Sequence, residues 1–265
     1  MAKKKIGIAL GSGAVRGFAI VPIIKKLEKE GIEIAAVSGS SVGALIGAYY
    51  SVHGEIDSFM SISKDLTRKD FLKLVDFNNP KASIIKGKKI KDFLADRYFE
   101  KKTFSDTKIP LYICVTDAVQ KKPVYLKEGN LVDAVMASIS IPGIFPPYKS
   151  GNKFYIDGGV LDPVPARPLL DNGMKKIVGV NLTGFKRGKK SKGTGGLLAD
   201  LMNSFYMMME QLAKEADDKR IFMLNPRFEP EPARMLAFYD WRDNYEIGQR
   251  YINRKIKDLK TWLRK

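Results

Sequence analysis

Residues 39 to 43 read GSSVG, a G-x-S-x-G spacing that sets one hydroxyl, that of Ser41, between two glycines. A serine becomes a nucleophile when it is lifted clear of the backbone and a nearby group removes its proton. The first condition is met where a strand turns sharply into a helix, with Gly39 and Gly43 permitting the turn and Ser41 standing at the helix N-terminus. The pattern points to acyl transfer. A second glycine cluster, GSGAVRG at 11 to 17, follows a short apolar run and offers bare N–H groups. They would suit a phosphate at a helix N-terminus or the oxyanion of an acyl-transfer reaction.

The nucleotide reading needs an acid about 20 positions on, at the end of the second strand, to hold a ribose. That strand ends in Val37, Ser38 and Gly39, and Glu33 lies at its wrong end, so the oxyanion reading gains. The usual base for a serine is histidine. His53 is the sole histidine, twelve residues after Ser41 on what reads as one helix. At ~1.5 Å per residue that is ~18 Å along the axis. His53-Gly54 reads instead as a helix C-terminus, and a Ser-His-Asp triad is excluded unless the helix breaks early. The base is then a carboxylate or a lysine. Asp157, in YIDGG, is the best-placed carboxylate, at the end of a short strand. Taken alone, the same residues read more readily as an Asp-Gly turn in which Asp157 bonds its own backbone.

These residues need a scaffold. KKIGIAL reads as a buried strand, 17 to 30 as a helix, IEIAAVS as a strand and 42 to 52 as a helix, a βαβα order that implies a mainly parallel sheet flanked by helices. A basic helical stretch follows over about 55 to 100. IPLYICVTD and PVYLKEG read as a hairpin and 130 to 138 as a helix. KFYIDGG, KKIVGVNLT and RIFMLNP read as strands, with helices at 197 to 219 and from Tyr239 to the end. In the last helix Tyr245, Gly248, Ile252, Ile256, Leu259 and Leu263 share one face. That amphipathic face, at 239 to 265, suits packing on its own domain better than membrane adhesion. The methionine-rich LLADLMNSFYMMMEQL suits core better than a lipid gate, although methionines make an adaptable apolar wall.

Length and composition fit one domain over 1 to 265, with no internal repeat or linker. The apolar run in MAKKKIGIAL is too short for a signal peptide, and no stretch reaches a membrane span. A lone Cys114 excludes an internal disulfide, and one histidine leaves no zinc cluster, so neither metal nor organic cofactor is expected. The expected location is the cytoplasm. Lys and Arg outnumber Asp and Glu by 46 to 29, a net +17 that suits an anionic partner. The charge gathers at 68 to 102 and at 185 to 196, the latter expected as a mobile basic loop. No aromatic-basic RNA motif accompanies it, so no nucleic-acid partner is expected. An anionic membrane surface is the better match, with the protein peripheral on its inner face.

GSGAVRG, GSSVG, ASISIPGIFPP (137 to 147) and DGGVLDPVP (157 to 165) occur in the order and approximate spacing of the patatin-like phospholipases, and over residues 6 to 180 the chain resembles that family. The family takes in plant patatins, bacterial patatin-like lipases and the catalytic domain of neuropathy target esterase. The resemblance implies a three-layer α/β fold with a mainly parallel central sheet. It implies a catalytic Ser-Asp dyad of Ser41 and Asp157 that cleaves phospholipid or lysophospholipid esters through an acyl-enzyme. Backbone amides of Ser12, Gly13 and Ala14, with Val42, would form the oxyanion hole. Gly11, Arg16, Gly17, Gly39, Gly43, Gly158 and Gly159 would support the motifs, Arg16 by fixing the loop. Two positions depart from the pattern: Ser12, where many members have glycine, and Asp162, where many have asparagine. The second would raise the pKa of Asp157 by repulsion if the two acids approach. Two rival readings share the residues: a lipid acyltransferase using the same dyad, and an inactive module that docks on membranes. Headgroup, chain preference and oligomeric state are not legible.

Overall fold

The computed structural model describes residues 4–76, 83–186, 196–214, 218–229 and 237–265. The strands are β1 (Lys4–Leu10), β2 (Ile32–Ser40), β3 (Leu111–Asp117), β4 (Lys122–Leu126), β5 (Tyr148–Ser150), β6 (Lys153–Asp157), β7 (Ile177–Val180) and β8 (Ile221–Leu224). The helices are α1 (Ile20–Lys29), α2 (Val42–His53), α3 (Asp57–Lys64), α4 (Arg68–Leu74), α5 (Lys88–Leu94), α6 (Leu131–Ser138), α7 (Arg167–Asp171), α8 (Leu197–Lys214) and α9 (Arg242–Trp262). The strands form one sheet in the order β5-β6-β3-β2-β1-β7-β8, with β4 also paired to β3. The pairs among β1, β2, β3, β7 and β8 are parallel, while β4, β5 and β6 pair antiparallel at one side.

Alternation along β1 divides the core. Ile6, Ile8 and Leu10 point into a large cluster with α1, α2, α6 and α9, while Ala9 joins a smaller one with Leu169 of α7 and Ala213 of α8. Helices thus cover both faces of the sheet, in three layers. A β-carbon on Gly7 would lie 3.2 Å from Leu169 and 3.3 Å from Met174, so on this second face those side chains pack directly onto β1.

Several boundaries differ from the sequence reading. The expected helix over 17 to 30 begins as a 3-10 turn at Ala14–Ala19, and α1 starts only at Ile20. A β-carbon on Gly17 would lie 2.3 Å from Val42 Cγ2, so close approach to α2 shapes this turn. The basic stretch over 55 to 100 divides into α3, α4, α5 and a π turn at Ala95–Phe99, with 77–82 outside the described residues. The expected helix over 197 to 219 is described to Lys214, and 215–217 lie outside. Most of the expected basic loop, 187–195, also lies outside the described residues. The stripe of α9 faces inward: Gly248, Ile252, Ile256 and Leu259 are buried, and Gly248 lies against the backbone of Ala19. Among the described residues no helix is long and apolar enough to cross a membrane.

Candidate active site

Ser41 sits between β2 and α2 with φ 56° and ψ −124°, a backbone conformation strained for a residue with a side chain. Its flanking glycines serve close approach. A β-carbon on Gly39 would meet the Gly43 carbonyl oxygen at 2.4 Å, and one on Gly43 would meet that of Leu10 at 2.1 Å. The elbow is therefore clamped against β1, and its strain is concentrated in the serine.

The sheet register brings Asp157 to it. On β3, Cys114 pairs with Ser40 of β2 and with Tyr125 of β4, while Val115 pairs with Asp157 of β6 and with Val124 of β4. A strand has two edges and β4 occupies one of them, so β2 and β6 share the other and meet end to end. Ser41 Oγ donates to Asp157 Oδ2 at 2.6 Å. Ser41 is 5% exposed and Asp157 1%. Both readings of the YIDGG turn hold together, because Asp157 Oδ1 accepts the Gly159 N–H at 2.7 Å while Oδ2 faces the serine.

Burial pushes the Asp157 carboxyl up to about 7, against the lowering pull of the Ser41 and Gly159 hydrogen bonds. Repulsion from Asp162 is not among the causes, which corrects the expectation drawn from that acid. The Asp162 carboxyl, itself raised to about 6 by burial, accepts the Tyr125 hydroxyl at 2.7 Å. Asp133 is tied to Lys91 at 2.7 Å and to the Tyr148 hydroxyl.

Two hydroxyls hold the elbow: that of Ser138, which sequence reasoning passed over, and that of Ser12, weighed there only for its amide. Ser138, in the ASISIPG motif, accepts the Ser41 N–H at 2.9 Å and donates to the Cys114 carbonyl at 2.6 Å. Ser12 donates to Ser40 Oγ at 3.0 Å. The main chain of Ser140 accepts the Asp157 N–H at 2.9 Å. Their positions inside the third and first motifs were the available signal.

The glycine loop corrects one expectation. The Ser12 N–H donates to the Pro163 carbonyl at 2.9 Å and the Gly11 N–H to that of Val180, so neither is free for an oxyanion. The amides of Gly13 and Ala14 bond no acceptor among the described residues. Both residues line the small pocket that holds Ser41 and Asp157. The amides of Val42 and Gly43, in the first turn of α2, have no partner within that helix. Arg16 is buried, and the carboxylate that acts on its charge is Glu210 of α8 rather than Asp157. Arg16 Nη1 donates to the Leu182 carbonyl at 3.2 Å, and its guanidinium lies 4.5, 4.4 and 5.2 Å from the ring centres of Phe185, Tyr206 and Phe228. It ties the glycine loop to α8, whose Met202, Tyr206 and Met209 roof the small pocket.

On its other side Ser41 opens on an apolar cavity of about 130 Å³, walled by residues such as Phe18, Phe59, Phe71, Ile90, Phe93 and Phe238. His53 faces neither space. It ends an unbroken α2, stacks on Tyr49 with ring centres 4.2 Å apart and lies 3.2 Å from the Tyr98 carbonyl. Among the described residues no group of three or more His, Cys, Asp or Glu could hold a metal ion.

A sequence model of the family described as "Patatin-like phospholipase" matches residues 8–170. An uncharacterised NTE family protein of Mycobacterium tuberculosis is 32% identical over 199 residues, which cover 75% of this chain and 55% of that protein. Neuropathy target esterase sws of Drosophila melanogaster is 28% identical over 183 residues, 67% of this chain and 13% of that one. Lysophospholipase NTE1 of Pyricularia oryzae is 27% identical over 182 residues, 68% of this chain and 12% of that one. The chain thus spans about half the length of the mycobacterial relative and a small part of the other two. Among solved structures, VipD from Legionella pneumophila shares the fold, with a TM-score of 0.52 at 14% identity over 95% of this chain and 67% of that one.

Proposed function

The chain belongs to the patatin-like phospholipase family, and from that premise we propose that it is a serine acyl hydrolase in which Ser41 and Asp157 form a catalytic dyad acting on lipid esters. The observation that carries the reading is the 2.6 Å bond to a buried carboxylate from the Oγ of Ser41, a residue that also lines an apolar cavity. Asp157 takes the Ser41 proton as Oγ attacks the ester carbonyl carbon, giving a tetrahedral oxyanion. The Gly13 and Ala14 amides face that oxyanion, and the N-terminus of α2 at Val42 adds a favourable dipole. Collapse expels the alcohol, which takes the proton from Asp157 and leaves the acyl group on Ser41. Asp157 then deprotonates a water that attacks the acyl-enzyme, and the acid departs as Ser41 recovers its proton. An ordinary aspartate is too weak a base for this work. The burial that raises Asp157 to about 7 suits it to both half-reactions.

Phospholipid or lysophospholipid esters are the substrate class this reading favours. An acyl chain fits a cavity without charge, and two relatives are named an esterase and a lysophospholipase. The family resemblance lends the same weight to acyl transfer, in which an alcohol replaces water in the second step. The engaged geometry of Ser41 and Asp157 speaks against an inactive module. A fluorophosphonate probe followed by peptide mapping tests the proposal. Labelling is expected at Ser41 alone, and Ser41→Ala should lose both labelling and esterase activity while keeping its fold. Labelling elsewhere, or activity surviving in the alanine variant, overturns it. Product analysis with and without an added alcohol separates hydrolysis from transfer.

A further inference from the structure

Among the described residues six large apolar side chains are strongly exposed: Leu72, Val119, Phe154, Leu201, Met207 and Met208. Four of the six lie on two helices, Leu72 on α4 and the others on α8, each more than half exposed. These helices also wall the spaces that meet at Ser41. Phe71 and Leu74 of α4 face the apolar cavity, and Met202, Tyr206 and Met209 of α8 face the small pocket over Asp157. Val75, one residue past α4, and Phe205 of α8 both pack against one hydrophobic cluster, which includes Ile141 and Met202. A surface helix normally buries its apolar face and shows water a polar one. These two present apolar side chains to water as well as to the spaces that meet at Ser41.

The charges around Leu72 identify what covers this face. Arg68, Lys69 and Lys73 line the same shallow concavity as Leu72. Lys73 pairs with Asp70 at 3.1 Å, while Arg68 and Lys69 have no acidic partner among the described residues. Lys88 and Lys89 stand exposed on α5, whose Ile90, Phe93 and Leu94 line the apolar cavity. We infer that α4 and α8 form the face by which the protein docks on an anionic phospholipid bilayer. Leu72, Leu201, Met207 and Met208 enter the acyl region, and Arg68, Lys69 and Lys73 rest among the headgroups. Docking in this pose sets the entrance to Ser41 against the membrane, so an ester reaches the cavity without crossing bulk water. The inference rests on the lipid-ester reading of Ser41 and adds to it a surface, an orientation and a lipid charge.

The test uses the full chain with phosphatidylcholine vesicles, made with and without phosphatidylglycerol, and in parallel a soluble short-chain nitrophenyl ester. A Leu72→Ser/Met207→Ser/Met208→Ser variant should bind both kinds of vesicle at least tenfold more weakly. An Arg68→Gln/Lys69→Gln/Lys73→Gln variant should lose about a hundredfold on the anionic vesicles at low salt, and little on the neutral ones. Both variants should turn over the soluble ester within about twofold of the wild type, because none of the six residues touches Ser41 or Asp157. A tryptophan at position 208, made by Met208→Trp, should shift its emission to the blue when vesicles are added, a signal that needs no loss of binding. Unchanged vesicle affinity in both variants, or a tryptophan that stays in water, overturns the inference. So does a variant that turns a dimer into a monomer while vesicle binding persists, since the face would then join two copies. Failure of the wild type to cleave any ester would instead sink the hydrolase reading, and vesicle binding is measured independently of it.

Discussion

The raised carboxyl of Asp157 makes the pH dependence of catalysis a quantitative test. A general base works in its deprotonated form, so activity is lost as pH falls through its pKa. With that value at about 7, roughly nine-tenths of Asp157 is ionised at pH 8 and one-tenth at pH 6. kcat/KM for a soluble ester should therefore fall about tenfold between pH 8 and pH 6 and continue downward by a factor of ten per unit. An aspartate of ordinary pKa, ~3.9, would give a flat profile across that range. Asp157→Asn removes the base by a route the geometry defines. The carboxylate accepts two donors, the Gly159 N–H at 2.7 Å on Oδ1 and the Ser41 hydroxyl at 2.6 Å on Oδ2. An amide has a single oxygen, and the fixed backbone donor claims it, leaving the NH2 to donate toward Ser41. The serine then keeps its proton, and no group activates water in the second half-reaction. A base serving both steps should cost at least the upper end of the usual range, ~10⁴-fold in kcat, or about 5.5 kcal/mol. The assay is kcat/KM from pH 5 to 9 at constant ionic strength, with the rate of fluorophosphonate inactivation as a second reading. A profile flat between pH 6 and 8, or an asparagine variant that keeps more than about a tenth of wild-type turnover, would refute the reasoning and move attention to Asp162 or Asp133.

Stability should respond in the opposite sense. Because the folded pKa of Asp157 is raised to about 7, its favourable contribution is complete below the unfolded value of ~3.9 and is lost as pH rises through 7. Asp157→Asn lacks that loss, so in denaturant melts its stability relative to wild type should improve from acid to alkaline pH by up to ~4 kcal/mol, whereas a constant difference would mean the acid ionises normally. His53→Ala should keep most of the turnover and lose only ~1 kcal/mol of stability, from the Tyr49 stack; a thousandfold fall in kcat with the fold intact would revive a triad. Gly43→Ala should fold poorly or lose ~3 kcal/mol or more, since its β-carbon would sit 2.1 Å from the Leu10 carbonyl oxygen with only backbone to yield, and a melt like that of the wild type would count against the clamped elbow. Arg16→Lys exchanges a planar group stacked among three rings for a point charge and should cost about 1–2 kcal/mol by thermal melting; an unchanged midpoint would mean the ring contacts contribute little.

What the residues dictate by themselves is local. GSSVG specifies a strand-turn-helix elbow within five positions, and Ser41 takes the strained backbone such a turn demands. The lone histidine is placed out of reach by helix rise alone. The early βαβα order follows from hydrophobic period and glycine punctuation. The three-residue β5 and five-residue α7 were missed, being too short to show any period.

Only the tertiary structure decided what the long-range partners are. Asp157 in a turn motif could serve its own backbone or a serine 116 residues earlier, and it does both because β3 seats β2 and β6 end to end along one edge. The Ser12 amide looked free until Pro163, far along the chain, supplied its acceptor. Ser138, 97 residues from Ser41, became the acceptor for its N–H when α6 closed against β3. The raised carboxyl of Asp157 is decided at this level as well. Desolvation is produced by every atom that displaces water around the group, and elements from across the chain converge on Asp157 to displace it. Strand, turn and helix follow from neighbours in sequence, whereas the partner of a buried polar atom and the water it loses depend on which distant segments fold against it.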